Sequence, residues 1–397
     1  MEPDFSSLDS FLADEGLDGY LVDADSSDST QRYLSGFDAP DPFVTVYTPE
    51  RTALLVSSLE FGRARKESRA DDVSRLADYD YRELAAEHGS NAANARVVAA
   101  WLDDLGVERV AAPDRFPLGP ADRLRERDVG VVPETEDVVT EIRARKTPEE
   151  IEHVRATQRA NEAAMDAAEA LLRESEIDRG GGPDGGDVLR VGDEVLTSER
   201  VREEIELTLL RRGCAPDETI VACGADAADP HDRGSGPLAP DEPIIVDIFP
   251  RSKQTKYHAD MTRTFVRGEP SATIEEWFDL THEALDAAID ALEPGATGEA
   301  VHDVVCDVYE DAGLPTLRSD PRTETGFIHS TGHGVGLDVH ELPRLSPDGG
   351  ELEPGHVVTV EPGLYDPDVG GVRIEDLVVV TEDGHENLTE QPIELRL

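Results

Sequence analysis

The chain has 397 residues, and 37 Lys and Arg against 87 Asp and Glu give a net charge of −50. That charge excludes a nucleic-acid backbone or an anionic membrane surface as partner, because both would repel it. At roughly 100–200 residues per domain the length suggests two or three domains, and periodic apolar segments exclude disorder throughout.

The opening MEPDFSSLDS has neither a basic start nor an apolar core. No secretory signal is therefore expected, no apolar run approaches the ~20 residues of a membrane span, and a cytoplasmic location is the expectation. Asp4 to Glu15 carries a helical apolar pattern. Gly19 to Val22, Phe43 to Tyr47 and Thr52 to Val56 look like short strands; Arg96 to Leu105 looks helical and Arg109 to Ala112 like a further strand. This alternation predicts a small α/β domain over residues 1–140.

The character changes at EIRARKTPEEIEHVRAT. Thr147 is a natural N-cap, Pro148 suits the first helical position, and Glu150 stands three residues after the cap. A long helix to about Glu174 is predicted, within a second domain spanning 141–397. Residues 178–187, DRGGGPDGGD, then read as a loop. No GK[ST] follows, so phosphate binding is a poor reading of these glycines.

The remainder contains an internal echo. Pro240 to Asp247 reads PDEPIIVD, and Pro354 to Glu361 reads PGHVVTVE. In each, a proline precedes a carboxylate by seven residues, with a β-type apolar run between. A second carboxylate follows 13 or 14 residues later: Asp260 in ADMTRTFV and Glu375 in VRIEDLVVV. Each half also has an upstream helical pattern, at 199–213 and 299–313, and then a histidine segment, with His231 in one and His333 in the other. Two similar α/β halves in one pseudo-symmetric domain, with a site at their join, are predicted.

A lone acid in this chain reads as solvated surface. These four instead adjoin valine- and isoleucine-rich strands, where an inward carboxylate is costly unless paired or bound to metal. Four clustered carboxylates repel one another, and two divalent cations would balance them. The segment TGHGVGLDVHELP, residues 331–343, crowds backbone around His333 and carries His340 seven residues on. On one strand that odd interval would put the two on opposite faces, so they are not expected to bind metal symmetrically.

VDIFP, HADMTRTF, STGHGVGLDVHELP, TVEPGLY and GVRIEDLVVVT resemble, in order, the motifs of the pita-bread metallopeptidases. That family includes methionine aminopeptidase, aminopeptidase P, prolidase and the metal-free creatinase. The resemblance implies five metal ligands, Asp247, Asp260, His333, Glu361 and Glu375, with Asp260 and Glu375 shared between two divalent ions. Arg373 before Ile374 and Glu375, and YLVDADSSDSTQRYLSGF near the start, point to the prolidase and aminopeptidase P branch. The implied fold is a creatinase/prolidase-like α/β N-terminal domain followed by a pseudo-two-fold pita-bread catalytic domain.

The implied reaction is hydrolysis of Xaa-Pro bonds in short proline-containing peptides by a metal-bridged hydroxide, with Glu361 as proton shuttle. His231 and His340 would contact the peptide and its developing charge. Arg373 would orient Glu375 or meet a substrate carboxylate. Carboxylates and one imidazole suit Mn²⁺ or Co²⁺, with Zn²⁺ or Fe²⁺ as further candidates. A homodimer is implied too. The alternatives are a methionine-aminopeptidase-like or other aminopeptidase, a creatinase-like amidinohydrolase, and a non-catalytic binding protein on the same fold.

Two departures from the family stand out. The first two aspartates lie 13 positions apart where 11 is usual, and Phe249 replaces a small glycine. If the aspartates flank a hairpin, two extra loop residues leave the register intact. Elsewhere, four lysines among 37 basic residues and an acid-rich composition fit a salt-rich cytoplasm, where salt screens self-repulsion. Three dispersed cysteines, 214, 223 and 306, form neither a disulfide framework nor a thiolate zinc site and are expected in core packing.

Overall fold

A computed structural model describes residues 3–182, 185–216 and 218–397. Contacts divide the chain into one compact unit at 2–143 and another at 144–397.

The N-terminal unit is built on a six-stranded sheet. Its strands are β1 (Gly19–Ala24), β2 (Phe43–Thr48), β3 (Arg51–Val56), β4 (Asp72–Arg75), β5 (Arg109–Pro113) and β6 (Gly130–Glu134). The order is β4-β3-β2-β1-β5-β6, with antiparallel pairing at β1–β2 and β2–β3 and parallel pairing elsewhere. The central strands β1, β2 and β3 are largely apolar because both faces are covered. Val44, Val46, Ala53 and Leu55 pack with Val97, Trp101 and Leu102 of helix α1 (Ser90–Asp104). Their neighbours Phe43, Leu54 and Val56 point the other way, onto Phe37 and Ala64. A shorter helix, α2 (Leu118–Arg125), follows β5.

The second unit opens with α3 (Pro148–Glu174). Thr147 accepts a bond from the Glu150 amide while Glu150 reaches back to the Thr147 amide, the reciprocal capping that the sequence predicts. The glycine-rich stretch joins short strands at Glu176–Asp178 and Val188–Val191; its Pro183 and Asp184 lie outside the described residues.

Two further sheets carry the internal echo. The first is β7 (Ile220–Cys223), β8 (Ile244–Ile248) and β9 (Met261–Phe265), in that order and antiparallel. The second contains β10 (Gly332–Gly334), β11 (Glu341–Leu345), β12 (Val357–Val360), β13 (Asp376–Thr381) and β14 (Gly384–Asn387), in the order β11-β10-β12-β13-β14. Each sheet buries one face under helices. Ile244, Val246, Ile248, Met261 and Phe265 pack with residues of α3 and α4 (Ser198–Arg211). Val358, Val360, Val378 and Val380 pack with α5 (Ala272–Asp290) and α6 (Gly298–Asp311).

Strand alternation then fixes where the acids point. Asp247 lies between two helix-facing isoleucine and valine positions, so it faces away from the helices. The same parity turns Asp260, Glu361 and Glu375 away from them. No helix among the described residues is long and apolar enough to cross a membrane.

Candidate functional site

The four acids sit at corresponding places in the two sheets. Asp247 pairs across to Thr262, and Ile248 to Met261, so extending that register sets Phe249 opposite Asp260. Asp247 and Asp260 therefore share a face despite their 13-residue spacing. The longer connection is absorbed by pairing of its own: Arg251 and Ser252 pair with Ala215 and Cys214, and Lys256 takes a left-handed turn conformation. In the second sheet Val360 pairs with Asp376, so the next pair is Glu361 with Glu375.

All four carboxylates line a cavity of about 570 Å³ in the second unit, together with His231, His333, His340, Phe249 and Arg373. Ligand-capable atoms of Asp260, His333 and Glu375 lie within 4.8 Å of one another. His333 Nε2 is 3.4 Å from Glu361 Oε1 and 3.9 Å from Asp260 Oδ2. Its Nδ1 is 3.1 Å from the Gly334 carbonyl, which fixes the proton on Nδ1 and leaves the Nε2 lone pair toward the acids. Gly332 lets β10 approach β12: a Cβ there would meet the Thr359 carbonyl at 2.0 Å.

Electrostatics mark the centre as incomplete without positive charge. Burial first, and then Asp247 and Glu361, push Asp260 far above the usual carboxylate range. Burial, Asp260 and Glu361 do the same to Glu375. Glu361 is pushed up to about 7, chiefly by burial. Burial and the neighbouring His340 hold His333 down to about 3, so it is a neutral lone-pair donor at neutral pH. Asp247 Oδ1 is buried without a hydrogen-bond partner among the described residues. Crowded acids, an orphaned carboxylate oxygen and a neutral imidazole make a hard donor set that fits divalent cations.

The Arg373 guanidinium is buried beside the acids. Its Nη2 donates to Asp247 Oδ2 at 2.7 Å. It reaches Glu375 through Thr262: Nε donates to Thr262 Oγ1 at 3.3 Å, and that hydroxyl donates to Glu375 Oε2 at 2.7 Å. His340 stacks edge-on against His333, with ring centroids 4.2 Å apart. His231 is an exposed loop residue on the cavity wall.

The internal echo does not extend to the histidines. Asp247 and Glu361 correspond, and counting along the paired strands puts Ala222 of β7 where β10 has His333. His231 is therefore not the counterpart of His333. Alanine there means that the first half has no imidazole at the position equivalent to His333.

Sequence reasoning missed His329, Tyr365 and Glu341. His329 Nε2 is 3.0 Å from the Tyr365 hydroxyl, which accepts from Arg373 Nη1 at 2.9 Å. Burial and then Arg373 lower His329 to about 3. Glu341 is buried against Lys146 Nζ at 3.1 Å, and its other oxygen accepts from the Asp338 amide at 2.9 Å. His329 lies four residues before His333, and Tyr365 four after Glu361, so proximity to the expected ligands was the available signal.

Comparison with known proteins adds an independent line. Residues 152–382 match the family described as Metallopeptidase family M24, and residues 5–144 match the Creatinase/Prolidase N-terminal domain. An Xaa-Pro dipeptidase of Pyrococcus furiosus is 32% identical over 66% of this chain and 67% of its own. One from Pyrococcus horikoshii is 26% identical over 97% of this chain and 96% of its own. The solved structure of an Xaa-Pro dipeptidase from Bacillus anthracis superposes with a TM-score of 0.80 at 26% identity, covering 99% of both chains.

Proposed function

The chain belongs to metallopeptidase family M24, and we propose that it hydrolyses Xaa-Pro dipeptides at a centre of two divalent ions. The observation that carries this reading is the convergence of Asp247, Asp260, Glu361 and Glu375 with His333 in one cavity. Those five residues would hold the ions. When bound, the ions would supply water activation and polarisation of the scissile carbonyl.

The chain's own residues prepare that chemistry. Arg373 neutralises Asp247, while Thr262 holds Glu375, so the acids keep fixed positions. Glu361, anchored by Thr359 Oγ1 at 3.2 Å and facing the same cavity, is placed to pass a proton during the reaction. His340 and His231 offer polar atoms to the peptide across the cleft. Ile220, Phe249, Ile328 and Val339 give that cavity an apolar wall suited to a proline ring. Manganese or cobalt is the proposed metal, a homodimer the proposed assembly, and a salt-rich cytoplasm the proposed medium.

The test is a metal-supplemented assay at high salt on an Xaa-Pro dipeptide, an Xaa-Pro-Yaa tripeptide and a Met-Ala peptide. The dipeptide should turn over fastest. Preferred cleavage of the tripeptide would assign aminopeptidase action, and preferred cleavage of Met-Ala would overturn the proline reading.

A further inference from the structure

The N-terminal unit contains a cavity of about 220 Å³, walled by the β1–β2 floor, α1 and α2. At about 30 Å³ per water it holds the equivalent of about seven waters, too little for a drug-sized ligand but enough for one small metabolite. Strand and helix periodicities explain its lining. Leu21 and Asp23 share a face of β1, and Val44 lies directly opposite Asp23. Asn91, Asn94, Ala95 and Val98 recur at helical spacing on α1, as Pro120, Arg123 and Leu124 do on α2. The floor is apolar and buried, while Asn91 and Asn94 stand exposed at the mouth.

The charged lining is unusual for this protein. Asp23 and Arg123 both face the cavity, yet no ion pair or side-chain hydrogen bond engages either among the described residues. Arginines elsewhere are commonly paired in a chain with 87 acids; Arg318 alone meets Asp303, Asp307 and Glu310. Burial raises the Asp23 carboxyl, with no neighbouring charge to offset it. Two opposite charges that share a cavity without touching leave a place between them for a ligand carrying both complements. An apolar floor adds a place for a hydrocarbon side chain.

We propose that this cavity binds a free α-amino acid with an apolar side chain. Its ammonium meets Asp23, its carboxylate meets Arg123, and its side chain rests on Leu21, Val44 and Val98. Asn91 and Asn94 close the mouth with amide hydrogen bonds. The assignment does not rest on the chemistry of the acidic cavity in the second unit.

Isothermal titration of the full chain with L-leucine tests this, alongside leucinamide, which lacks the carboxylate, and 4-methylpentanoate, which lacks the ammonium. Leucine should bind at one site per chain, with each analogue at least about tenfold weaker, the equivalent of one lost charge-assisted bond. Asp23→Asn should abolish the preference for leucine over 4-methylpentanoate, and Arg123→Gln the preference over leucinamide. Absence of saturable leucine binding to the wild-type chain would overturn the proposal. So would preferences that both variants leave intact, or leucine that an Xaa-Pro dipeptide displaces competitively. If a variant fails to fold by circular dichroism, the wild-type analogue series decides alone: equal affinity for all three ligands overturns the assignment.

Discussion

Glu361 combines two properties at one carboxylate: it faces the acid cluster, and burial brings its titration to about 7. Glu361→Ala should lower turnover by about 10²–10⁴-fold with the fold intact, read by steady-state kinetics beside circular dichroism. The same shift has a stability consequence. In chelated protein the native state keeps a proton on Glu361 that the unfolded chain loses near its ordinary value of 4.5. Its contribution is therefore full below about 4.5 and lost as pH rises through about 7. Chelated Glu361→Gln should exceed the wild type in stability at about pH 8, by on the order of 1–3 kcal/mol, and converge with it below about pH 4.5. Urea unfolding at the two pH values measures this; a gap that stays constant with pH would remove the burial argument. Lys146 and Glu341 make the complementary case. Both side chains are almost fully buried. Lys146→Met should cost about 3–5 kcal/mol by stranding Glu341, and adding Glu341→Gln should recover much of it.

Elements show what was legible in the chain and what was not. Thr147, Pro148 and Glu150 announced α3 because capping is local chemistry, and Thr147→Ala should cost about 1 kcal/mol in thermal unfolding. The strands bearing Asp247 and Glu361 were legible because apolar alternation and proline spacing are local too. The 13-residue spacing was expected to leave the register intact, and pairing of Arg251 and Ser252 with Ala215 and Cys214 is how the extra length is absorbed. That remedy depends on a segment some 36 residues upstream, outside any local window. The same limit explains Arg373: its motif position was clear, but its ion pair with Asp247 joins residues 126 apart. The link of His329 through Tyr365 to Arg373 was hidden for the same reason. Pairing His231 with His333 failed because sequence order does not reveal that Ala222 holds the equivalent strand position. Gly332→Ala tests how tightly β10 must approach β12. A Cβ that meets a backbone carbonyl at 2.0 Å has no soft partner to displace. The variant should lose metal affinity as well as stability, measured by metal titration and thermal unfolding.

At the scale of the whole molecule, the −50 charge divides into two populations. Most acids belong to the surface, where self-repulsion weakens as the Debye length falls to about 3 Å at 1 M salt. Thermal stability should therefore rise from low to molar salt; a flat profile would detach the acidic surface from any salt-rich setting. Asp247, Asp260, Glu361 and Glu375 are different, since they repel one another inside a cavity where bulk salt screens poorly. Arg373 neutralises Asp247, and tightly held cations would answer the repulsion that remains. The most direct measurement follows one protein sample through chelation and reconstitution, with metal content and Xaa-Pro hydrolysis recorded together at constant high salt. Activity should vanish with the metal and return as manganese or cobalt approaches two ions per chain. Full hydrolysis by metal-free protein would contradict the assignment of these five residues as a divalent-metal centre.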